Sequence, residues 1–138
     1  MAIPPEQAAP LVDQMMAKWE KFTDAQKETW KQKFTELMGN PDLMKQAEEE
    51  GMATFKASDT NGNGKLNRAE FIDHSSKEEA NYAAKGWPVF GFTDEEHGGV
   101  YDILAAAMGA DADGLTADQL KAMEESIMGP FCEKIGMA

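Results

Sequence analysis

Apolar residues recur at three- and four-residue steps along most of the chain, the spacing of helices that bury one face. Leu11, Met15, Met16, Trp19 and Phe22 form the first such series. Residues 1–10 precede it, hold three of the six prolines and read as an irregular arm. Thr23 is placed to cap a second helix, with Asp24 and Glu28 near its positive end. Trp30, Phe34, Leu37 and Met38 share a face of that helix, and Gly39-Asn40-Pro41 stops it. A third helix is predicted over 42–56, with Leu43, Met44, Ala47, Met52 and Phe55 as its apolar positions. A Gly/Asn-rich loop follows, then a fourth helix over about 67–85, ended by Gly86-Trp87-Pro88. Residues 86–92 form an apolar linker. Thr93-Asp94-Glu95-Glu96 is a capping box that starts a fifth helix, whose buried face is Val100, Ile103, Leu104 and Met108. After a second loop at about 109–116, Thr116 and Gln119 form another capping box. The sixth helix is expected to end at Met128, before Gly129-Pro130. No strand alternation is visible. The expected fold is all-α, with six helices in a single domain over 1–138.

The first loop carries the chemistry. Asp59-Thr60-Asn61-Gly62-Asn63-Gly64-Lys65-Leu66-Asn67-Arg68-Ala69-Glu70 offers oxygen donors at the intervals that a calcium ion requires. Calcium takes six to eight oxygens at about 2.3–2.6 Å. Asp59 supplies a carboxylate at position 1, and Asn61 and Asn63 supply side-chain carbonyls at positions 3 and 5. Gly64 permits the sharp turn at position 6. Lys65 contributes only its backbone carbonyl, so its charge can point to water. Leu66 anchors the loop to the core. Asn67 ligates directly or through a water, and Glu70 gives two oxygens from the first turn of the following helix. A plain Gly/Asn turn between helices has no need of Leu66 and Glu70 at those spacings.

On these residues the chain resembles the EF-hand calcium-binding superfamily, which includes calmodulin, troponin C and the sarcoplasmic calcium-binding proteins. The resemblance covers 59–70 and, more loosely, the flanking helices. It implies a standard EF-hand over 42–85. A degenerate second EF-hand is expected over 94–128. Its loop, Asp111-Ala112-Asp113-Gly114-Leu115-Thr116-Ala117-Asp118-Gln119-Leu120, is one residue short. With Gly114 as the turn glycine, position 1 falls on Gly109, which has no ligand, and the last position falls on the neutral Gln119. Asp111 and Asp113 remain as a second, non-standard site. One ion is expected, with a second as the alternative. EF-hands pair through their loops near position 8, so Leu66 and Leu115 should face each other. Residues 11–38 are then a helical hairpin packed on the pair. The competing layout makes 11–38 a vestigial EF-hand that itself pairs with 59–70.

Composition narrows the function. Twenty-five Asp and Glu against thirteen Lys and Arg give a formal charge of −12. Such a chain repels phosphate backbones, so no nucleic-acid partner is expected, and it suits cations or basic partners. A hydrophobic content of 42% is enough to bury a core. The apolar runs are far below the roughly 20 residues of a membrane span. The N-terminal residues show neither a secretory signal nor, with Ala2, a myristoylation site. Cys132 is the only cysteine, which excludes an internal disulfide and fits a reducing, cytoplasmic setting. It is expected in a flexible tail with nothing to activate it.

Glu48-Glu49-Glu50 reads as a solvated helix face or a docking site for a basic partner. His74 and His97 lie far apart, without partners at metal spacing, and read as surface residues. No phosphate loop or nucleophile arrangement is present, so no enzyme is expected. The ten methionines, among them Met15, Met16, Met38, Met44 and Met52, read first as core and otherwise as an apolar helix-lined groove for a protein partner. The functional expectation is a calcium sensor or regulator acting on a protein partner. The alternatives are a cytosolic calcium buffer that changes shape little, or a structural subunit that keeps its calcium. Only two carboxylate ligands, Asp59 and Glu70, favour modest affinity, in the sensor range of roughly 10⁻⁷–10⁻⁵ M or weaker.

Overall fold

The computed structural model describes residues 3–110 and 113–137. Among the described residues there are six helices and one short bridge of strands. They are α1 (Pro5–Trp19), α2 (Asp24–Met38), α3 (Pro41–Ser58), β1 (Lys65–Leu66), α4 (Arg68–Ala84), α5 (Asp94–Met108), β2 (Leu115–Thr116) and α6 (Ala117–Lys134). The fold is all-α with six helices, as the hydrophobic periodicity predicts. Side-chain caps set most helix starts. Thr23 and Gln26, Asn67 and Glu70, Thr93 and Glu96, and Thr116 and Gln119 each close a reciprocal box at the heads of α2, α4, α5 and α6. Asn40 accepts from Asp42 N and Leu43 N and starts α3.

β1 and β2 pair antiparallel, with Leu66 opposite Leu115 and Lys65 opposite Thr116. The facing of Leu66 and Leu115 anticipated from the two loops is therefore present. A bridge two residues long is too short to show alternation, which is why no strand pattern is visible in the sequence. Gly114 makes the approach possible. Its φ is +116°, and a Cβ there would lie 1.8 Å from the Leu66 carbonyl oxygen.

Two predicted boundaries are corrected. The first helix begins at Pro5 rather than after an irregular arm over residues 1–10, and Pro10 lies inside it. Ile3, Ala8, Leu11 and Val12 are all buried, and Ile3 N donates to Ser126 Oγ of α6 at 3.1 Å. The sixth helix continues past Gly129-Pro130 to Lys134. A proline inside a helix costs about 3 kcal/mol. Beyond it Phe131, Cys132 and Ile135 are buried. Burying each large apolar side chain contributes about 1.5–3 kcal/mol, so continuing the helix wins.

α4 packs along α5, α1 along α6, α3 along α4, and α2 against α3. Aromatic rings tie the two halves of the chain together. Trp19, Trp30 and Phe131 meet one another edge-on at 5.5–5.7 Å. Trp30 also stacks on Phe34 and meets Trp87 and Phe90 of the linker. Three of the five methionines assigned first to the core lie outside it. Met38, Met44 and Met52 are 54%, 37% and 45% exposed, whereas Met15 and Met16 pack against the core. Periodicity groups these three with the apolar positions of α2 and α3, but that side is covered only in part: Trp30 and Phe55 are buried, whereas Met38, Met44 and Met52 are not.

Candidate functional site

The loop after α3 folds back on its own backbone. Asp59 Oδ2 accepts from Gly64 N at 2.8 Å, Asn61 Oδ1 from Asn63 N at 3.2 Å, and Asn63 Oδ1 from Lys65 N at 3.0 Å. In each of these bonds a side-chain oxygen at position 1, 3 or 5 accepts from a backbone N–H two to five residues further along the loop. Gly62 and Gly64 take φ of +67° and +78°, a region where a side chain is disfavoured. Lys65 lies in β1 opposite Thr116. The last residue of the motif reaches back across the loop. Glu70 Oε2 accepts from both Thr60 N and Thr60 Oγ1 at 2.8 Å, and Oε1 accepts from Asn67 N at 3.0 Å. Asn67 Oδ1 caps α4 by accepting from Glu70 N at 2.9 Å. Ser58 Oγ, fully buried, donates to Asp73 Oδ2 at 3.2 Å and ties the end of α3 to α4.

Glu70 is 6% exposed. Its carboxyl is held below the ordinary carboxylate range, first by the Asn67 N–H and then by Thr60 and the Asn61 N–H, against the opposing cost of burial. It is therefore a charged group kept inside the protein by hydrogen bonds. Asp59 Oδ1 is buried and meets no hydrogen-bond donor among the described residues. An unsatisfied buried carboxylate oxygen costs on the order of 1–3 kcal/mol, and more when charged, unless something supplies positive charge to it.

The structure thus brings Asp59, Asn61, Asn63, Lys65, Asn67 and Glu70 together in one loop and its exit turn. Their donors are all oxygens, a set that suits a hard cation rather than a soft one. Glu70 Oε1 keeps a lone-pair site besides the one engaged by Asn67 N, whereas Thr60 N and Thr60 Oγ1 occupy both sites of Oε2, so full bidentate ligation by Glu70 requires it to release Thr60. Among the described residues no three His, Cys, Asp or Glu side chains form a metal-binding group. The loop itself has two carboxylates and otherwise neutral oxygens. Thr60 is the residue that sequence reasoning missed. Position 2 donates no ligand in the motif, so nothing marked it, yet it latches Glu70.

The second loop differs. Asp111 lies outside the described residues, and Asp113 is exposed. Gly109 caps α5 in the left-handed region, and Gln119 Oε1 accepts from Thr116 N at 2.8 Å as half of a capping box.

Two side chains read as surface or tail residues are buried. His97 is 6% exposed, and its Nε2 meets no partner among the described residues. It shares a face of α5 with Tyr101 and Leu104 at four- and seven-residue steps, a signal present in the sequence. Burial holds its imidazole below the ordinary range, against the charges of Glu79, Asp94 and Glu96. Cys132 is buried on the continued α6, and burial pushes its thiol up, away from reactivity. Glu48, Glu49 and Glu50 are exposed as expected, with Glu50 bonded to Lys85. Among the described residues no helix is long and apolar enough to cross a membrane. No family model matches the chain, and no curated protein or solved structure matches it significantly.

Proposed function

We propose that this chain is a calcium-binding protein of EF-hand type, with one ion held by the loop over 59–70. Asp59, Asn61, Asn63, the Lys65 carbonyl, Asn67 and Glu70 would hold it. The observation that carries the reading is the buried, unpartnered Asp59 Oδ1 beside a buried Glu70 carboxylate held ionised. Two carboxylates with no cation beside them among the described residues, one with an unpartnered buried oxygen, form an arrangement that a divalent cation relieves. The ion would supply positive charge there and would join the end of α3 to the start of α4.

The role proposed is a sensor or regulator acting on a protein partner. Met38, Met44 and Met52 support it, because exposed methionines on adjoining helices form an adaptable apolar surface. A buffer or structural role has its own support. The α1–α2 hairpin already sits on the apolar side of the remaining helices, with Trp19 and Trp30 each 4% exposed, which favours little change of shape.

Thermal unfolding tests the binding. A ligand taken up only by the folded chain stabilises it by RT ln(1 + [L]/Kd), about 4 kcal/mol at a thousandfold excess over Kd. The midpoint should rise with millimolar calcium over chelator, and much less in Asp59→Asn. An unchanged midpoint in the parent protein overturns the proposal. Calcium-dependent binding of an apolar dye then separates the roles. A large signal supports a sensor; stabilisation without signal supports a buffer or structural protein.

A further inference from the structure

His74, Glu78 and Tyr82 stand at four-residue steps along α4 and so occupy one face of it. His74 Nε2 and Glu78 Oε1 are 4.0 Å apart, beyond hydrogen-bond reach, on side chains 13% and 28% exposed. The face is turned to α3. A Cβ on Gly51 would lie 3.6 Å from Glu78 Oε1, His74 meets Phe55 edge-on at 6.1 Å, and Asn81 Nδ2 donates to Thr54 Oγ1. Glu78 therefore fills a seam between two helices at the point where α3 has no side chain.

Other charges face it from each neighbouring element. α3 contributes Glu50, and α6 contributes Glu124, itself beside Glu125 and Lys121. The C-cap of α4 contributes Lys85, which is already bonded to Glu50 and lies over the Tyr82 ring. The cation that could offset Glu78 is thus shared with another carboxylate. Burial, and next the charge of Glu124, push the Glu78 carboxyl up to about 7. Burial holds the His74 imidazole below its ordinary range, so His74 does not neutralise Glu78 near neutral pH.

We propose that Glu78 is a proton-operated clamp on the α3–α4 pair: its neutral carboxyl seats in the seam at Gly51, and its ionisation loosens α3 from α4. The sign follows from linkage. The folded chain holds a proton that the unfolded chain releases near the ordinary value of 4.5. Stability from the neutral carboxyl is complete below that value and is lost as pH rises through about 7. The clamp does not depend on an ion in the loop, so its test is made in chelator.

Thermal midpoints are compared for the parent protein and Glu78→Gln from about pH 5 to about pH 8, with the difference taken at each pH so that other titrations cancel. The midpoint of the variant relative to the parent should rise by several degrees from the acid to the alkaline end, at roughly 4 °C per kcal/mol in a domain of this size. Trp87, whose ring lies 5.3 Å from Tyr82, should change emission over the same pH range in the parent but not in the variant. A difference that stays constant with pH overturns the clamp. Should Glu78→Gln fail to fold, the carboxyl carbon resonance of Glu78 in the parent decides. A midpoint near neutrality supports the proposal, and one at the ordinary glutamate value overturns it.

Discussion

Glu70 has two tasks in this chain, and only one was visible from its position. Its place at the end of the loop marked it as a ligand. That it also closes the cap of α4 and holds Thr60 follows from the chain doubling back, which spacing along the sequence does not reveal. Gly114 is similar. It reads as a turn glycine, but its φ of +116° and its contact with the Leu66 carbonyl show that it lets two backbones meet. Gly62, at φ +67°, has open space where a Cβ would go. These two glycines should therefore respond differently. Gly62→Ala should cost about 1 kcal/mol, the backbone term alone. Gly114→Ala should cost about 3 kcal/mol or more, because β1 and β2 must also separate. Urea unfolding of both variants measures this, and equal losses would show that the close approach is unimportant.

Helix starts were legible because capping boxes are local: Thr93 with Glu96 and Thr116 with Gln119 announce α5 and α6 directly. The start of α1 and the end of α6 were not. At both, a proline argues for a break while burial by distant elements argues for continuation, and the larger energy belongs to burial. Pro130→Ala should therefore stabilise the protein, by on the order of 1–3 kcal/mol, since it restores a helix donor and relieves crowding without removing any buried group. A lower midpoint would show that Pro130 itself makes contacts that matter. The linker after α4 offers a second measurement. Trp87 touches Tyr82 of α4 and Trp30 of α2, at 5.3 and 5.9 Å. Movement of α4 on calcium binding should shift tryptophan emission, and spectra identical in calcium and in chelator would count against the sensor role.

At the scale of the molecule, α1 is joined to α5 by a polar contact over an aromatic junction. Lys18 Nζ donates to Glu96 Oε1 at 2.8 Å and lies 5.5 Å from the Phe92 ring. Phe92 in turn packs against the buried His97. That bond to Lys18 first, and the Thr93 N–H next, hold Glu96 down to about 2. Its contribution is fully present above the ordinary 4.5 and is lost as pH falls towards 2. His97, kept neutral by burial, acts higher: stability is complete above 6.5 and declines as pH falls below it. Acid should thus weaken the junction of α1, α5 and the linker in two steps. His97→Gln should remove the upper one, as seen in the thermal midpoint between about pH 7 and pH 5.

Calorimetric titration with calcium of the parent protein, Glu70→Gln and Gln119→Glu tests the central claim, a single site at 59–70, most directly. Glu70→Gln removes a charge and a bidentate donor together, leaving Asp59 as the loop's one carboxylate. Gln119→Glu adds a carboxylate to a loop whose first position is Gly109. Expected are one ion for the parent, one for Gln119→Glu and none for Glu70→Gln. A parent that binds no calcium contradicts the claim outright, and a parent that binds two ions, one surviving in Glu70→Gln, places a working site at Asp111 and Asp113 and contradicts the single-site claim.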